Sequence, residues 1–149
     1  MKLRKRGFET KLDERFKIHI ESFIGHAEDI FPDFDFRGVE FVQFKSKVKG
    51  GHACYNLRVV AINDKLKLPK SIFFLLAHEL AHLITWEIYG IKGHNKTFYY
   101  VVRKLGGTPT RNYKRGEYPE LDIKIWDVDD IDFSTEEIRN CFNGGLITE

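Results

Sequence analysis

Cysteine is nearly absent: the 149-residue chain has only Cys54 and Cys141, far apart and in no paired motif. That excludes a disulfide framework, and two free thiols in a reducing cytosol are the simplest expectation. Long apolar runs are missing too. The longest, Ile72 to Ala77, falls far short of a membrane span, so no membrane partner is expected. The opening stretch MKLRKRGFETK has basic residues with no apolar core behind them and does not read as a secretory signal. Repeats and low-complexity linkers are also absent. The remaining picture is one globular domain over residues 1–149, 42% hydrophobic and 31% charged. A chain of that length buries about two-thirds of its unfolded surface.

The net charge of +2 hides an asymmetry. Residues 117–149 hold ten acids against Lys124 and Arg139, a balance of −8, which leaves +10 on residues 1–116. An acidic C-terminal extension on a basic body follows.

The chemistry concentrates in PKSIFFLLAHELAHLITWEIYGIKGHNKTF, residues 69–98. Pro69 suits a first helical position, and Gly90 supplies a stop. Between them His78-Glu79-Leu80-Ala81-His82 forms an H-E-x-x-H pattern. On a helix, His82 sits about 40° around from His78 and one turn along, so both imidazoles reach one ion. Glu79 lies about 100° from His78, beside the ion, where a carboxylate can hold a water. Phe73, Leu76, Leu80, Leu83 and Ile84 make the helix apolar nearly all round, which predicts burial. Two imidazoles and a carboxylate are costly to bury without a partner, and a metal ion satisfies all three.

A catalytic zinc site takes three protein ligands and leaves one position open. His94 is the preferred third ligand, because Gly90 and Gly93 let the chain reverse and Asn95 to Leu105 reads as a helix packing back on the first. Glu117 and Glu120 are rivals but lie in a polar stretch, and Glu87 is about 140° off the face of His82.

Taken together, His-Glu-Leu-Ala-His, the turn at Gly90 and Gly93-His94-x-x-x-Phe98 resemble the zinc peptidase domain of SprT-like proteins, the family that includes Spartan. Its members show H-E-x-x-H, then H-G-x-x-F, after an extended segment ending in Asn, here Asn56 to Asn63. The resemblance covers roughly residues 8–113, the expected core of the domain. Asn95 stands where glycine is usual, and the four-cysteine ribbon of several relatives is missing. The resemblance implies a zinc-dependent metalloendopeptidase: His78, His82 and His94 hold zinc, and Glu79 is the general base. It also implies protein substrates bound to DNA; the location expected is the cytoplasm or the nucleoid. Lys45, Lys47, Lys49, Arg111, Lys114 and Arg115 are the candidate DNA contacts on the basic body. The alternative is a catalytically silent zinc- and DNA-binding adaptor or regulatory domain. A monomer is expected.

The fold class read from the pattern is α+β: a small antiparallel sheet packed with three main helices around a zincin-like core. A helix is predicted from Phe8 to Ile30, and strands at Val39–Phe44 and Tyr55–Ile62. After Gly107, an edge strand over Leu121–Trp126 and a short helix from Ser134 to Phe142 are expected. Residues Met1 to Gly7 read as a frayed basic arm.

Overall fold

The computed structural model describes residues 3–5, 12–44, 50–55, 57–107 and 146–148. The chain-order elements are β1 (Leu3–Lys5), α1 (Glu14–Ile30), β2 (Glu40–Phe44), β3 (Gly51–Cys54), β4 (Val59–Asn63), α2 (Pro69–Tyr89), α3 (Lys96–Leu105) and β5 (Leu146–Thr148). The α+β class holds, with three helices around a small sheet among the described residues. The expected strand Leu121–Trp126 and helix Ser134–Phe142 lie outside the described residues.

Two details of the sheet differ from the sequence reading. Its order is β2-β4-β3, and β2 pairs parallel with β4 while β3 pairs antiparallel. The sequence pattern shows only two strands before α2, with Lys45–Gly51 as a hairpin-like connection between them, which is why it predicts an antiparallel sheet. Gly51–Cys54 is a third strand, and Tyr55 begins the turn that leads into β4. One extra reversal between β2 and β4 makes them parallel. Glycine and alanine have low strand propensity, so β3 gives no alternating signal. The central strand β4 is buried at all five residues, as its unbroken Val-Val-Ala-Ile run requires.

Helix α1 begins at Glu14 rather than Phe8, after Asp13 in extended conformation. It buries Phe16, Ile20, Phe23, Ile24 and Ala27. Arg15 reaches across to the loop before α2, donating to the carbonyls of Leu66 and Asp64. Asn63, at the end of β4, accepts at Oδ1 from the Lys65 amide at 3.0 Å, which turns the chain towards α2. At the N-terminus, Leu3–Lys5 is not frayed but pairs antiparallel with Leu146–Thr148, Leu3 opposite Thr148.

Helix α2 runs through the middle of the core and is buried continuously from Leu75 to Thr85. By length and composition it could cross a membrane, but 72% of its most apolar window is buried inside the protein. Its apolar surface is thus covered by α1, α3, β3 and β4. A helix packed on every side is a rigid mount for whatever it carries.

Candidate metal centre

His78 and His82 are one turn apart on α2 and are 4% and 5% exposed, with Glu79 between them at 1%. Their ring centroids lie 5.1 Å apart. Burial, and then the nearby His94, pushes the His78 imidazole down from 6.5 to about 3. Burial, followed by His78 and His94, holds His82 well below its ordinary value. Both rings are therefore neutral at pH 7, the form that has a lone pair for a metal.

The third imidazole arrives by a turn whose parts are legible one by one. Gly90 ends α2 in the left-handed region (φ 71°), its N–H bonding to the Trp86 carbonyl at 2.9 Å. Gly93 is also left-handed (φ 94°), a conformation that costs glycine nothing, and it aims the chain back at the helix. Asn95 then caps α3, accepting from the Phe98 amide at 3.0 Å and donating to the Lys92 carbonyl at 3.0 Å. His94, just before that cap, comes to 5.5 Å from His78 and 4.8 Å from His82 between ring centroids. Replacing Asn95 with Ala should cost about 1 kcal/mol, and with Gly only a few tenths, since glycine is a tolerated cap. Urea midpoints read the difference, and equal losses would deny the side-chain cap its role.

Phe98, fully buried, is the common wall of the three rings. It stacks on His82 at 4.4 Å and meets His78 and His94 edge-on at 5.1 and 5.0 Å. Tyr55 brings its hydroxyl to 3.3 Å from His82 Nδ1. Lys92 lies over the Trp86 ring at 4.5 Å and the Tyr55 ring at 5.4 Å, closing the outer edge.

One ligand nitrogen from each histidine lies within 4.8 Å of the other two, so His78, His82 and His94 form a group that could hold a metal ion. The residues fit such an ion: three imidazoles converge, two from α2 and one from the turn before α3, and His78 Nε2 and both ring nitrogens of His94 are buried atoms. Glu87, the nearest rival, is committed elsewhere, accepting from Arg58 Nε at 2.7 Å. Glu117 and Glu120 lie outside the described residues, as do Lys45, Lys47, Lys49, Arg111, Lys114 and Arg115. His26 stays away from the centre, on Leu105 O at 3.3 Å. With His19 it borders a separate groove of about 390 Å³ beside Phe23 and Phe73. Sequence reasoning missed Tyr55, because nothing local pairs it with a histidine 27 positions later.

Fold and site together define a small α+β domain with a three-histidine group, able to hold a metal ion, built on an H-E-x-x-H helix. The family model for the SprT-like family matches residues 20–118, and the chain belongs to that family. No curated protein and no solved structure matches it.

Proposed function

We propose that the chain is a zinc metalloendopeptidase, with His78, His82 and His94 as ligands and Glu79 as the group that carries the proton. The observation behind it is the convergence of three imidazoles, two buried and one half-buried, with ligand atoms within 4.8 Å of one another, beside a carboxylate buried in the same motif. Zinc, when bound, supplies Lewis acidity and lowers the pKa of water towards 7. The Glu79 carboxylate takes a proton from the water that attacks the scissile carbonyl and delivers it to the leaving amine. The rigid α2 holds Glu79 in register with both helical histidines throughout. A silent zinc-binding adaptor would have no use for that carboxylate, and burying it is costly.

Proteins bound to DNA are the proposed substrates. Support comes from the family and from the +10 balance of residues 1–116, which suits phosphate contacts. The purified chain should hold one zinc. His82→Ala should lose it, whereas Glu79→Gln should keep zinc and cleave casein at least about 100-fold more slowly. Casein cleavage by Glu79→Gln at the parent rate would sink the assignment. Added duplex DNA should raise cleavage less at about 200 mM salt than at about 50 mM; no response to DNA at either would remove DNA from the proposal.

A further inference from the structure

We infer that Tyr55 is a positioning residue for this centre, its phenolic oxygen fixing which nitrogen of His82 faces the other two histidines. The inference rests on the reading of the three histidines as metal ligands. Tyr55 directly follows β3 and is 3% exposed. Its hydroxyl lies 3.3 Å from His82 Nδ1 and 3.5 Å from the Gly93 backbone nitrogen. An amide N–H can only donate, so at Gly93 the phenolic oxygen accepts.

A phenolic oxygen has two lone pairs and one hydrogen. Accepting from both Gly93 N–H and His82 Nδ1–H uses the two lone pairs and leaves the hydroxyl hydrogen for another acceptor. That arrangement puts the His82 proton on Nδ1 and the lone pair on Nε2, the nitrogen left to face the cluster. Metal-ligating histidines donate their second ring N–H to an oxygen, which fixes tautomer and ring orientation. Here the oxygen belongs to a phenol.

The same atom reaches two places at once. His82 belongs to α2, whereas Gly93 directly precedes His94 on the turn into α3. One oxygen thus links a helical ligand to the turn that carries the third ligand. The ring itself is held independently. It stands edge-on to His82 at 89° and to Trp86 at 61°, with Lys92 Nζ 5.4 Å from its centroid. Removing the hydroxyl alone should therefore leave the ring in place.

Tyr55→Phe makes that change, and Trp86→Phe serves as a packing control that trims a neighbour of the ring without touching the oxygen. In competition with a chelator, Tyr55→Phe should bind zinc about 10–100-fold more weakly, and Trp86→Phe within about threefold of the parent. Cobalt(II) absorption bands should shift in Tyr55→Phe, while the metal-free melting transition moves by only a few degrees. Zinc binding by Tyr55→Phe as tight as the parent's would overturn the inference. So would an equal loss in Trp86→Phe, since packing alone would then explain it. A parent chain that binds no zinc would overturn the metal reading itself.

Discussion

Phe98→Ala should destabilise the metal-free protein by about 3–5 kcal/mol, the cost of truncating a fully buried aromatic and leaving a cavity. Phe98 is 0% exposed and touches all three histidine rings. Truncation removes the surface against which His82 stacks, and the whole cluster loses its shared wall. In a domain of this size the loss corresponds to a melting temperature lower by roughly 6–20 °C. Zinc affinity should fall as well, because the imidazoles regain rotamer freedom that binding must then remove. Tyr100, two residues on, provides the comparison. It is 44% exposed, and its truncation should change stability by no more than about 0.5 kcal/mol. Urea unfolding in excess chelator measures both variants. A loss below about 1 kcal/mol for Phe98→Ala would mean that the cluster is not built on this ring.

The parts of this site that were legible in the sequence are those encoded by short-range geometry. The i, i+4 spacing of His78 and His82 needs only a helix, and Pro69 and Gly90 mark its ends. His94 could be read because Gly90 and Gly93 permit the reversal and α3 begins immediately after it. Even the substitution of Asn95 for glycine has a local reason, since both residues suit a helix N-cap. Tyr55 was hidden because its role depends on where β3 ends relative to α2, a tertiary fact with no periodic signature. The same blindness concealed β3. Its Gly-His-Ala-Cys is buried on both sides and shows no alternation, so the pattern before α2 shows two strands where the structure has three. Glu87 illustrates the reverse case. Its poor angle on the helix ruled it out as a ligand, and the structure shows the carboxylate holding Arg58 instead.

Acid should unfold the metal-free protein steeply, with stability falling between pH 6.5 and about 3. His78 is a principal source of the effect. Burial first, and His94 second, lower its folded-state value to about 3, whereas in the unfolded chain it titrates near 6.5. Between those values the unfolded state binds a proton that the folded state refuses. Falling pH therefore favours unfolding, and the penalty, absent above pH 6.5, grows until the folded imidazole itself takes the proton. His82 is lowered in the same direction, by burial and then by His78 and His94. His78 contributes a slope of at most about one and a half kcal/mol per pH unit, and His82 adds to it in the same direction. Two pH units thus remove about 2–3 kcal/mol through His78 alone, a large part of the stability of many domains. Urea midpoints taken in chelator from pH 7 to 4.5 should fall accordingly, and His78→Gln should flatten the slope. A midpoint unchanged over that range would mean that the histidines are not held neutral by burial, and the closed, desolvated cluster described above would have to be abandoned.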